Sequence, residues 1–291
     1  MTQEADDAVR SSVEPKLESE AQEPVAGHAG DSEAWKRRDA LHHDREALYY
    51  DSLIGREYAP YQRTHTAVPW ARLLASSGVE LALDIGAGTG RTSLPLASAG
   101  IDVIAIDTSR GMLEQLRAKA HDADFDRVWP VIGDAEHLPL PAAAVGGVVC
   151  QGVLHHLPHV EVALGEADRV LAEGGWLCLA EPNASRSRVD ALVRTALAWM
   201  RPLVDRLGGR RSPAAHDERP LDPQDIIFPL EAWGFEVDAR YVVHPPYVYR
   251  FLPRPLVDLI ARLLNPGVRR RGEGTDIVVV RAQRAGKSRG P

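Results

Sequence analysis

The chain has 291 residues, 44% apolar and 26% charged, a composition ordinary for a globular protein and long enough for one large domain or two small ones. Its formal net charge of −7 sits entirely in the first 34 residues, where nine acids face only Arg10 and Lys16; the remainder balances at 32 acids and 32 bases. A neutral body behind an acidic segment leaves no electrostatic footprint for nucleic acid, and the acidic start lacks the apolar core of a secretory signal.

Residues 1–33 show no sustained apolar period and read as a disordered acidic tail. A helix is expected over 34–53, carrying Leu48, Tyr49 and Tyr50 near its end, and a second over 66–76. Strand and helix then alternate: strand 81–85, helix 90–98, strand 102–106, helix 109–120, strand 128–132, strand 145–150, helix 160–172 and strand 175–180. Ser109 reads as a helix cap, and Gly174-Gly175 as the stop of the helix before Trp176. The uncharged run from Leu138 to Val160 is broken by three prolines and three histidines, so loop and buried strand are expected there and no stable membrane insertion. Residues 188–207 are amphipathic at helical spacing. A polar loop, a helix at 223–233, a strand at 235–243, an aromatic and aliphatic stretch at 246–265 and a last strand at 276–281 complete the chain. Residues 285–291 read as a flexible tail. Such alternation predicts an α/β fold, a doubly wound parallel sheet with helices on both faces and its ligand at the carboxyl ends of the strands. Cys150 and Cys178 each lie in an apolar run and read as free buried thiols of a reducing, cytoplasmic compartment.

The most informative stretch is Leu83-Asp84-Ile85-Gly86-Ala87-Gly88-Thr89-Gly90. An apolar strand ends in glycines at alternate positions, and a helical pattern starts at once. Missing side chains let the backbone turn sharply and let a ligand lie against it, with the unpaired N–H groups of the helix start facing that ligand. The spacing is G-x-G-x-G rather than the G-x-G-x-x-G of dinucleotide loops. Twenty-one residues beyond Gly86, a second strand ends in Asp107, a carboxylate able to accept two ribose hydroxyls.

With these stand GDAEHLPLP at 133–141, VVCQGVLHHLP at 148–158 and RVLAEGGWLCLAEPN at 169–183. Together they resemble the class I S-adenosylmethionine-dependent methyltransferases, of the type 11, ubiquinone- and menaquinone-biosynthesis-like group. The resemblance runs from about Arg45 to Arg281. It implies a Rossmann-like sheet of seven strands with the last antiparallel, within a domain at 34–284, and a helical substrate cover inserted after strand 5, at 184–224 and 246–265. It implies S-adenosylmethionine (SAM) as cofactor, the methionine end held by Asp84, Gly86, Ala87, Gly88 and Gly90, the ribose by Asp107, and the adenine by Asp134 and Ala135. Thr108, Met112, Gln151 and Tyr49 join that cofactor set. The segment HDREALYYDS at 43–52 resembles a helix that folds over the cofactor in this family.

Transfer from a sulfonium needs mainly alignment of the acceptor, and a base only where the acceptor must lose a proton. His156 and His155 follow the fourth strand and are candidates for that base or for positioning the acceptor, with packing of the loop as the plainer reading. Tyr50 is a candidate for contact with cofactor or acceptor, or equally for core packing together with Tyr49, and Glu181 for the substrate side or for a cap or ion pair. His216 and His244 are not set apart from ordinary histidines. The amphipathic segments favour a small-molecule acceptor of apolar or amphiphilic character, with a sugar acceptor also open. Nothing in the sequence points to an oligomeric state. No metal-ligand spacing is evident, and none is expected; His244-Pro-Pro-Tyr247 is misplaced for the box of amino-group methyltransferases acting on nucleic acid. Two rival readings share the motifs: a non-catalytic SAM-binding protein, and a nicotinamide-dependent oxidoreductase, which would require the longer glycine spacing.

Overall fold

In the computed structural model, the residues described are 31–52, 62, 65–183, 221–242 and 277–284. Seven strands form one sheet in the order β3-β2-β1-β4-β5-β7-β6. They are β1 (Leu81–Ile85), β2 (Asp102–Asp107), β3 (Val128–Ile132), β4 (Val145–Gln151), β5 (Leu171–Pro182), β6 (Phe235–Val242) and β7 (Ile277–Arg284). The first five run parallel, and β7 lies antiparallel between β5 and β6. This is a Rossmann-like sheet, reversing its strand order between β1 and β4, where ligands bind in such folds.

The central strands bury both faces, so their sequences are nearly continuous apolar runs. Successive residues still go to opposite sides. Leu83, Ile85, Val148, Cys150, Leu177 and Leu179 join one core cluster, and Ala82, Val149, Cys178 and Ala180 join the other. The second cluster is covered by helices α2 (Ala67–Ser76), α3 (Ser93–Ser98) and α4 (Arg110–Asp122), which supply Trp70, Leu74, Leu96 and Leu116. The first is covered by α5 (Val160–Val170) and α6 (Gln224–Ala232), through Leu164, Ile226 and Leu230. Pro130 lacks an N–H to donate, and β3 tolerates it because that strand is the sheet's edge.

An additional helix, α1 (Asp31–Glu46), precedes the alternating elements. The helix expected over 34–53 breaks into a turn at 47–49, and helical backbone resumes at Tyr50. The expected stop at Gly174-Gly175 is also corrected: α5 ends at Val170 and the chain is already β-strand from Leu171. Leu171 pairs with Val145, Trp176 with Gly147, and the register shifts between them. Gly174 (φ 73°) absorbs that irregularity instead of capping a helix. Residues 33–291 cluster as one unit, apart from 1–32. Most of the acidic tail, nearly all of the cover segments 184–224 and 246–265, the tail 285–291, His216 and His244 lie outside the described residues. Among the described residues no helix is long and apolar enough to cross a membrane.

Candidate functional site

The chain leaves β1 through Gly86 (φ 65°), Gly88 (φ 52°) and Gly90 (φ 91°). These three left-handed positions have different reasons. A Cβ on Gly86 would lie 2.1 Å from Val153 Cγ2, and one on Gly90 would lie 2.3 Å from Leu116 Cδ1. Both are close approaches of backbone to packed side chains. A Cβ on Gly88 would meet nothing within 4 Å, because that residue borders a cavity.

Asp107, at the end of β2, closes the neighbouring side of the cavity. Its Oδ2 accepts the Gly88 N–H (2.8 Å) and its Oδ1 the Ser109 N–H (2.8 Å). Each oxygen keeps a further lone pair for a ligand hydroxyl. Burial pushes the Asp107 carboxyl upward, opposed by those two N–H groups. Ser109 then caps α4 as expected, accepting the Met112 N–H at 3.1 Å. Asp84 is buried behind the loop, outside the cavity lining, where its Oδ2 accepts the Ser93 hydroxyl at 2.6 Å. Burial pushes its carboxyl up to about 7, with the charge of Asp107 adding and the Ser93 hydroxyl opposing.

The cavity holds about 790 Å³ of space, its open mouth included. Of the residues singled out in the sequence, Tyr50, Gly86, Ala87, Gly88, Asp107, Thr108, Met112, Ala135, Gln151 and His156 line it. Gly90, Tyr49, Asp134, His155, Glu181 and Asp84 do not. Tyr49 is exposed on the turn after α1. Asp134 faces Lys36 (2.7 Å), which also pairs with Glu136 (2.6 Å). Burial works against the Lys36 ammonium, yet the hydrogen bonds to those carboxylates hold its pKa above the ordinary value.

The expectation that Glu181 faces a substrate is corrected. It is fully buried, its Oε1 accepts the N–H groups of Val153 (2.9 Å) and Leu154 (3.0 Å), and its Oε2 lies 2.7 Å from His155 Nδ1. Glu181 therefore caps the 3₁₀ turn Leu154–His156 and ties His155 inward. The adjacent His156 points the other way, into the cavity, its Nδ1 3.2 Å from Asp39 Oδ1.

Several site residues were missed from sequence. Asp39 and His43 of α1 line the cavity, as does Arg91, whose guanidinium sits 5.3 Å from the centre of the Tyr50 ring. Their only sequence signal was the i, i+4 spacing of Asp39 and His43 on an expected helix. Polar contacts fix α1 and the turn after it over the strand ends. Trp35 Nε1 donates to the His156 carbonyl (2.8 Å), Asp44 Oδ1 accepts the Ser109 hydroxyl (2.6 Å) and the Gly111 N–H (2.8 Å), and Asp51 takes the Thr89 hydroxyl (2.6 Å) and Lys119 (2.6 Å).

A Rossmann-like sheet, a glycine loop open to a cavity and an acid at the end of the next strand define the class of nucleotide-ligand α/β proteins. Residues 83–179 match the model of a methyltransferase domain. An uncharacterized methyltransferase of Mycobacterium bovis is 31% identical over 217 residues, covering 74% of this chain and 76% of that protein. A demethylmenaquinone methyltransferase of Renibacterium salmoninarum is 39% identical over 99 residues, 34% of this chain and 40% of that one, so the match spans about two fifths of that relative's length. Among solved structures, a SAM-dependent methyltransferase from Archaeoglobus fulgidus shares the fold, with a TM-score of 0.53 at 17% identity over 81% of this chain and 98% of the other. The chain belongs to the methyltransferase-domain family.

Proposed function

We infer that this chain is a SAM-dependent methyltransferase acting on a small-molecule acceptor. The observation that carries the reading is Asp107, with lone pairs to spare, beside the one loop glycine whose missing side chain opens onto the cavity. That pairing fits a ligand with a ribose at one end and a flat approach to main chain at the other. In this reading Asp107 takes the ribose hydroxyls, and the loop at Gly86–Gly90 lies along the methionine end. Asp84 and Gly90 hold that loop from behind. Ala135 borders the adenine, with Asp134 reachable once Lys36 yields. Thr108, Met112 and Gln151 wall the cavity, while Tyr49 acts only through the turn that leads into Tyr50.

Bound SAM supplies a methyl already activated by its sulfonium. This chain's residues then have to place the acceptor and exclude water. Tyr50 and His156 are nearest to that task, and His156, oriented by Asp39, is the candidate to take a proton from the acceptor. The quinone chemistry in the name of the R. salmoninarum relative, and the amphipathic segments flanking the described residues, support an apolar or amphiphilic acceptor. Two buried free thiols support a cytoplasmic setting.

Calorimetry with SAM, followed by transfer of labelled methyl to a panel of quinols, phenols and glycosides, tests the reading. Asp107→Asn is expected to weaken SAM binding by about 10- to 100-fold, the scale of a lost charged hydrogen bond. Heat with NADH and none with SAM would overturn it. Tight SAM binding with no acceptor modified would favour the non-catalytic alternative.

A further inference from the structure

We propose that Asp39, His43 and His156 form a binding site for one divalent first-row transition-metal ion at the wall of the cavity. One ligand atom of each lies within 4.8 Å of the others. Asp39 and His43 stand one turn apart on α1 and so share a face, while His156 reaches them from the 3₁₀ turn after β4. Asp39 Oδ1 and His156 Nδ1 are 3.2 Å apart. Two ligand atoms on a tetrahedral ion, with bonds of roughly 2.0–2.1 Å, sit about 3.3 Å apart, so this pair already has the spacing.

An ion pair between Asp39 and His156 accounts for two of the three groups, while the third, His43, packs its ring against those of His42 and Tyr50 and leaves one nitrogen over. His43 Nδ1 is buried and has no hydrogen-bond partner, an arrangement that costs free energy unless something binds there. The His43 and His156 rings meet edge to face (5.4 Å, 77°), which directs their edges differently instead of stacking them. The His156 backbone is anchored by Trp35, and its ring lies 4.1 Å from that of His155, so little ordering remains for an ion to impose.

Two imidazoles and one carboxylate favour ions such as zinc, iron(II), nickel or copper over magnesium and calcium, and leave coordination positions open. All three residues line the cavity that also holds Gly88 and Asp107. An oxygen of the acceptor would reach those open positions, and with an ion bound His156 would serve as its ligand in place of acting as the base; that use, though not the metal site, rests on the function inferred above. A second cluster, His42, His43 and Glu46, shares His43, but His42 and Glu46 do not line the cavity.

The test is titration of metal-stripped full-length protein with cobalt(II), read by its visible absorption bands, with zinc(II) as competitor. One equivalent is expected to bind. Asp39→Asn, His43→Gln and His156→Gln should each weaken binding by at least about tenfold, the lower end for disturbing a ligand set, while His42→Gln leaves it unchanged. Melting curves show that each variant is folded. No cobalt spectrum with the parent overturns the site, as does a spectrum indifferent to His43→Gln and His156→Gln, or one lost equally with His42→Gln. SAM calorimetry runs separately, so its failure strikes the inferred function and leaves the metal result standing.

Discussion

Replacing each loop glycine by alanine should separate the ligand-facing position from the packing positions. All three residues sit at positive φ, where a Cβ costs roughly 1–2 kcal/mol, partly offset by about 0.4–1 kcal/mol from a stiffer unfolded chain. At Gly88 nothing further is added, since its Cβ meets no atom within 4 Å. Gly88→Ala should therefore lower Tm by no more than about 6 °C. At Gly86 the new carbon would sit 2.1 Å from Val153 Cγ2 and 2.9 Å from Cγ1, and a β-branched side chain has one stiff χ1 with which to avoid it. At Gly90 it would strike Leu116, which is fully buried. Overpacking adds about 1–3 kcal/mol at each, a further Tm loss of roughly 2–12 °C beyond that of Gly88→Ala. SAM affinity should behave in reverse order, with Gly88→Ala losing at least about tenfold, because its methyl intrudes where the ligand must lie (1.4 kcal/mol per tenfold). Thermal scans and calorimetry on the three variants read both quantities. A Gly88→Ala protein as unstable as the other two, yet binding SAM like the parent, would refute the assignment.

Three further outcomes are expected. Glu181→Ala strands the N–H groups of Val153 and Leu154 and frees His155, so about 3–5 kcal/mol of unfolding free energy should be lost, and Glu181→Gln should recover much of it; denaturant titration showing a loss below 1 kcal/mol would contradict the capping role. Burial pushes the Cys150 thiol well above its ordinary range and that of Cys178 up to about 12, so Ellman's reagent at pH 8 should read no thiol in native protein and two in guanidinium. Asp84, its carboxyl raised to about 7, binds a proton in the folded state over a range where the unfolded chain has released it. Stability therefore falls as pH rises from about 4 to about 7, and the Tm of Asp84→Asn should climb relative to the parent between pH 5 and pH 8; an unchanged difference would contradict it.

The strands and most helices were legible because each is written in local pattern. Leu81–Ile85 is apolar on both faces, and Ser109 supplies a cap three residues ahead of the N–H it accepts. The boundaries that failed were those set by neighbours in space. Gly174-Gly175 has the composition of a helix stop, but the pairing of Leu171 with Val145 claims the preceding residues for the sheet. Two adjacent histidines look equivalent in sequence; one is drawn inward by Glu181 and the other outward to Asp39, partners 26 and 117 positions away.

Spacing along the chain thus determined the glycine loop, the acid at the end of β2 and the parallel sheet, since each rests on backbone freedom or on alternation within a few residues. It could not rank the three glycines, because Val153 and Leu116 are distant in sequence and only the packed core brings them under Gly86 and Gly90. Nor could it bring Asp39 and His43 to the strand ends, for α1 is held there by contacts with residues 65 to 121 positions further on. A helix records in its own sequence which residues share a face; what that face meets is settled only when the chain has closed on itself.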